Sequence, residues 1–274
     1  EDDSLSAATH QPVPGRWGAA LPRGTASGDG SRAPLLPAAR VAWRALLVLL
    51  VCACAVPHAA SSGSVTHLIA TRPGAPPLSY VDWCHEPLHK AQFENEHVRV
   101  YKAEIPGGKQ TLFHRHRENT CYVTLDNGND AELVNEKLTD QGTDEASFVE
   151  EVGAMAEGDP FFMMHKDEHL IHRIKSKEDN AGAVKFLGVE MLRSPALSTK
   201  WQLRHLSYDL LIQNDAARVY RLLLRPSEVT DRHTFNFCGI VVFVSGGDLS
   251  VVCDGEETKK DAVKEGVMGD GPAW

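Results

Sequence analysis

The residues best able to do chemistry are histidines. Residues 112–123 read LFHRHRENTCYV, with His114 and His116 two positions apart just before an apolar run. A second group, His165, His169 and His172, lies in GDPFFMMHKDEHLIHRI at 158–174. On a strand, side chains at i and i+2 point to one face, so His114 and His116 can share one metal ion if that face is an interior. Imidazole nitrogen suits Zn, Fe, Mn, Ni or Cu. The competing reading is a solvent-facing pair on an edge strand. In the second group, apolar alternation puts Leu170, His172 and Ile174 on one face, and the opposite face carries His169, Ile171 and Arg173. That alternation turns His172 inward, and His165 falls in the preceding loop.

The elements that must position these residues read as strands. VRVYKAEI at 98–105 and RVYRLLL at 218–224 alternate, and PGGK, DNGND, AEGDP and SGGD punctuate the chain as turns. The segment 129–151 is polar and acidic and reads as a surface excursion with at most a short helix. The chain also repeats. FENEHVRVYKAEIPGGKQTLFHRH (93–116) aligns without a gap to IQNDAARVYRLLLRPSEVTDRHTF (212–235) at a constant offset of 119. Asn95 meets Asn214, Arg99 meets Arg218, Tyr101 meets Tyr220, Thr111 meets Thr230 and His114 meets His233. Phe235 stands at the place of His116, so the second copy is expected to be structural, packing on the first and covering its sheet edges. Short strands joined by glycine turns imply a sandwich or jelly-roll barrel.

These residues resemble the two motifs of the cupin family. Gly108, His114, His116 and Gly128 fall at the places of the first motif, and Gly158 and His169 at those of the second. Cys121 occupies the glutamate place, and Met164 and Lys166 replace the second motif's proline and glycine. The resemblance implies an all-β fold of double-stranded β-helix (jelly-roll) barrels in two tandem copies. The organisation expected is a leader at 1–63, a metal-binding domain at 64–195, and a degenerate, incomplete domain at 196–274. It further implies one divalent metal ion (Fe, Mn, Ni or Zn) on His114, His116 and one of His169 and His172. Cys121 is either a further ligand or a packed core residue. Glu118 could supply an oxygen, and Tyr122 and Glu118 are candidate catalytic bases. Arg115, Arg117 and Arg173 could clamp a carboxylate, although alternation turns them outward. The activity implied is that of a metal-dependent enzyme on a small organic substrate, of dioxygenase or lyase/isomerase type. A non-catalytic storage or ligand-binding module is the alternative.

Composition bounds the rest. The 274 residues are 42% hydrophobic and 24% charged, enough for one or two globular domains. The net charge of −9 offers no field for nucleic acid, so the expected partner is a small molecule, with a homodimer left open. ALLVLLVCACAV (45–56), after Arg40 and Arg44 and before small residues, has the order of a secretory signal peptide and is too short to span a bilayer. It predicts the secretory pathway, an organelle reached through it, or the extracellular space, and no stable membrane span in the mature protein. The first methionine is Met155, and the chain closes on GVMGDGPAW, so a start upstream and further residues downstream are expected. Outside the leader, Cys84, Cys121, Cys238 and Cys253 form no CxxC pair and could make two disulfides.

Overall fold

The computed structural model describes residues 44–50, 66–69, 74, 76–141, 147–193, 207–232, 239–244, 247–253, 256–263 and 266–268, with 44–50 and everything after 246 described by backbone alone. In chain order the strands are β1 (Arg44–Leu50), β2 (Thr66–Ile69), β3 (Leu78–Asp82), β4 (His89–Glu94), β5 (Val98–Ile105), β6 (His114–His116), β7 (Thr120–Asn127), β8 (Leu133–Thr139) and β9 (Ser147–Gly153). They continue with β10 (Pro160–Met163), β11 (Leu170–Ser176), β12 (Val184–Met191), β13 (Tyr208–Gln213), β14 (Arg218–Leu224), β15 (Gly239–Phe243), β16 (Gly247–Cys253), β17 (Glu256–Val263) and β18 (Gly266–Met268). One turn of 3₁₀ helix, Trp83–His85, joins β3 to β4.

The first unit is a jelly roll by its pairing alone. Strands β5 to β12 pair outside-in: β5 with β12, β6 with β11, β7 with β10 and β8 with β9, all antiparallel. Nested pairing of eight strands is what winding a hairpin into a double-stranded β-helix produces. It gives two sheets, ordered β10-β7-β12-β5-β4 and β2-β3-β6-β11-β8-β9. The expected all-β jelly roll is therefore present. The polar segment 129–151 is not an excursion but carries the hairpin β8–β9. Its inward positions Leu133 and Asn135 alternate with Val134 and Glu136, and the polar Asn135 hides the period.

Strand β12 shows why the sequence fits. Val184 and Phe186 join the core between the two sheets, and Gly188 and Glu190 share their parity. Leu187, Val189 and Met191 face the other way, into a second core. A strand buried on both faces needs apolar residues at both parities. Gly188 is required by space: a Cβ there would lie 2.3 Å from Cζ of Tyr101.

The second core is shared with the second unit. Val98, Val100, Cys121, Val123 and Leu125 pack with Ala217, Val219, Ile240, Val242 and Val244, which are the same five positions displaced by 119. The second unit thus covers a face of the first sheet, not its edges as expected. The equivalence reaches single bonds. Asn95 Oδ1 accepts from the amides of His97 and Val98, and Asn214 Oδ1 from those of Ala216 and Ala217. Arg99 Nε donates to Glu94, and Arg218 Nε to Gln213. The β4–β5 ladder shifts register between Ala91 and Phe93, and the β13–β14 ladder between Leu210 and Ile212.

Strand β1 lies within the stretch expected as the leader. It pairs with β14 and β15 in the sheet β13-β14-β1-β15-β18, the place that β12 takes between β5 and β7. Its run RALLVLL has the continuous apolar character of a central strand. Residues 51–56 of the signal-like stretch, His233, Phe235 and Cys238 lie outside the described residues. Among the described residues Cys84 and Cys121 are free, and no helix is long and apolar enough to cross a membrane.

Candidate metal centre

Four imidazoles converge between the two sheets. His114 and His116 alternate inward on β6 with Arg115 outward, and both rings are buried. His172 lies directly opposite His114 in the β6–β11 register, with ring centroids 4.5 Å apart. His172 and His116 stand at 5.2 Å. The fourth ring is His89, at the start of β4, 4.6 Å from His114 and 5.9 Å from His116. One ligand atom from each of His89, His114 and His116 lies within 4.8 Å of the others.

Each ring is held by its Nδ1. His89 Nδ1–H donates to Glu86 Oε2 at 2.7 Å, His114 Nδ1–H to the Leu112 carbonyl at 2.8 Å, and His172 Nδ1–H to Asn135 Oδ1 at 2.8 Å. His116 Nδ1 has Tyr101 Oη at 3.3 Å and Glu190 Oε1 at 3.7 Å. A bonded Nδ1–H fixes the tautomer and leaves Nε2 with a lone pair. Nε2 of His114 and of His172 are buried without a partner. Burial pushes the His114, His116 and His172 imidazoles well below their ordinary range, and the neighbouring imidazoles add to it, so they stay neutral at pH 7. Neutral, oriented imidazoles with free lone pairs fit a divalent metal ion.

Around the histidines is a cavity of about 40 Å³. Tyr101, Tyr122 and Asn135 give it polar atoms, and Ile105, Leu133, Ile174 and Phe186 close one side. Burial raises the Tyr101 and Tyr122 hydroxyls, keeping them protonated as donors. Tyr122 Oη is 3.5 Å from Nε2 of His165, whose imidazole burial lowers to about 4. Glu190 sits behind His116, its carboxyl raised to about 7 by burial against the opposing pull of Arg99.

The other residues singled out in the sequence lie elsewhere. His169 is exposed, one position before β11 begins, so motif spacing pointed to the wrong face. Cys121 is buried in the core between the units, on the face of β7 opposite Tyr122, because adjacent strand residues point to opposite sides. It therefore faces away from the histidine site, and burial raises its thiol well above the ordinary range. Glu118 does not line the cavity. Arg115 and Arg117 pair with Asp82, and Arg173 with Glu136, so no arginine clamp faces the site. His89 was missed because it precedes the repeat and both motifs. Its signal was local: Glu86 and His89 stand at i and i+3, and Glu86 also accepts the amides of Leu88 and Leu112.

No protein-family model matches the chain, and no curated protein does. Among solved structures, the chain is similar to a cupin domain from Bordetella pertussis, at 19% identity over 38% of this chain and 90% of that chain, with a TM-score of 0.28. It is similar to an RmlC-like cupin family protein with a double-stranded β-helix fold from Methanocaldococcus jannaschii, at 16% identity over 38% and 77%, with a TM-score of 0.23. It is also similar to a cupin superfamily protein from Desulfitobacterium hafniense, at 16% identity over 46% and 98%, with a TM-score of 0.26.

Proposed function

We propose that the chain is a metal-binding protein of the cupin kind, holding one divalent ion (Fe, Mn, Ni or Zn) on His89, His114 and His116 with His172 beside them. The observation that carries this is the pair of buried, unpartnered Nε2 atoms on His114 and His172. A buried polar atom without a partner costs free energy unless something binds it. When bound, the ion supplies Lewis acidity and a coordination position open to a small molecule. The chain's own residues orient the imidazoles through Glu86, Leu112, Asn135 and Tyr101, exclude water with an apolar wall, and offer the Tyr101 and Tyr122 hydroxyls as hydrogen-bond donors. The activity proposed is a metal-dependent transformation of a small organic molecule, of dioxygenase or lyase/isomerase type.

One observation favours a second reading, a non-catalytic module that binds a small ligand. The cavity lining contains no carboxylate or lysine to act as a base. Metal content tests the shared claim. The full chain refolded with Fe(II), Mn(II), Ni(II) or Zn(II) should retain about one ion, and the His114→Ala/His116→Ala variant should retain none. A chain that folds and retains none of the four would sink the proposal. Oxygen uptake and substrate turnover by the loaded protein then separate enzyme from module.

The equivalent bonds and shared core support two tandem jelly rolls, 64–195 and 196–274, only the first with a metal site. The order of charges, apolar run and small residues around 45–56 supports a secretory address.

A further inference from the structure

The cavity walls bear on which ligand shares the site with the metal. None of the lining residues is Lys, Arg, Asp or Glu. A ligand carrying a second charge would have to bury it against Ile105, Leu133, Ile174 and Phe186 with no side chain of opposite charge in the lining, which is unfavourable. One further atom waits for a partner. Asn135 is 1% exposed, its Oδ1 accepts from His172 Nδ1–H, and its Nδ2 has no hydrogen bond. The same amide therefore holds one histidine through oxygen and offers a buried N–H donor next to it. Leu133 lies two residues earlier on the same face of β8, and Ile174 is directly opposite Asn135 on β11, so apolar surface begins beside that donor. A dication among neutral imidazoles in an apolar wall favours an anionic head.

From these juxtapositions we infer that the site takes a small monocarboxylate. The Asn135 Nδ2–H donates to its carboxylate beside the histidines, and Ile105, Leu133, Ile174 and Phe186 take its hydrocarbon body. The cavity is small, about 40 Å³, which favours a short body. The inference rests on the metal reading above, and the test separates the two.

The full chain is loaded with Co(II), and its visible bands are followed while propionate, malonate or 1-propanol is added. Propionate should perturb the bands with a midpoint at least tenfold below those of malonate and 1-propanol. Asn135→Asp keeps an oxygen for His172 and removes the N–H donor, and should raise the propionate midpoint at least tenfold. Malonate or 1-propanol acting as tightly as propionate on the unsubstituted chain overturns the inference without any variant. So does Co(II) uptake with no response to propionate. A chain that takes up no Co(II) overturns the metal reading, and this inference with it.

Discussion

Glu86 is the residue whose work is most concentrated. Its carboxylate orients His89 and accepts two backbone amides from the segments on either side of the site. Glu86→Gln should weaken metal affinity about 10- to 100-fold, the usual effect of losing an orienting partner, as read by competition with a chelator. Cys121→Ser should leave metal content unchanged and lower stability by about 1–3 kcal/mol, since it buries a hydroxyl among Val98, Val123 and Val189. Loss of metal by a folded Cys121→Ser protein would return the thiol to the site. Protonation has a definite sign here. His114, His116, His165 and His172 all have folded values below the unfolded 6.5, so the unfolded chain binds more protons below that pH. Glu190, raised to about 7, acts oppositely between its unfolded 4.5 and 7, but it is one group against four. Metal-free protein should therefore lose stability as pH falls below 6.5, measurable as a declining urea midpoint. A midpoint that rises toward pH 5 would contradict the burial of these imidazoles as neutral rings.

At the scale of elements, the site depends on strand register more than on loops. His114 and His172 meet because β6 and β11 pair antiparallel with those residues opposite, and Asn135 reaches His172 because β8 flanks β11 on its other side. Tyr101 reaches His116 because Gly188 on β12 leaves room for its ring. Gly188→Ala should displace Tyr101, cost about 1–3 kcal/mol by overpacking, and disturb the metal spectrum through His116. An unchanged spectrum and melting point would show that Tyr101 does not constrain that histidine. Much of this was legible in the sequence. Alternation around Ile171 gives the inward side of His172, and His-x-His gives the shared face of β6. What was not legible has physical reasons. The inward polar Asn135 disguised β8, and spacing counted along a loop could not fix where β11 starts, so His169 was favoured by motif alone. His89 is positioned by a side-chain cap, which leaves no periodicity.

For the whole molecule, the two units meet through a core drawn from equivalent positions in each. Cys121 and Ile240 occupy matching places there, which explains an apolar-sized residue where a carboxylate was expected. The repeat was visible because strand-end bonds such as Asn95 and Asn214 preserve residue type. The way the units pack was not, because apolar residues at both parities of β12 do not reveal what covers the second face. Among the described residues, the candidate metal site draws on residues between Trp83 and Met191, whereas β1 pairs with β14 and β15. Deleting residues 1–63 should thus leave metal content intact while opening the facing edges of β14 and β15 to self-association, seen as larger species on size exclusion. Loss of metal on deletion would tie the leader to the site. X-ray absorption at the zinc edge of the loaded full chain reads out the proposed histidine-only divalent metal centre. The spectrum should show a nitrogen or oxygen shell at about 2.0–2.1 Å with imidazole scattering and no sulfur. A sulfur shell near 2.3 Å, or a folded chain that takes up no zinc, would contradict a histidine-only centre.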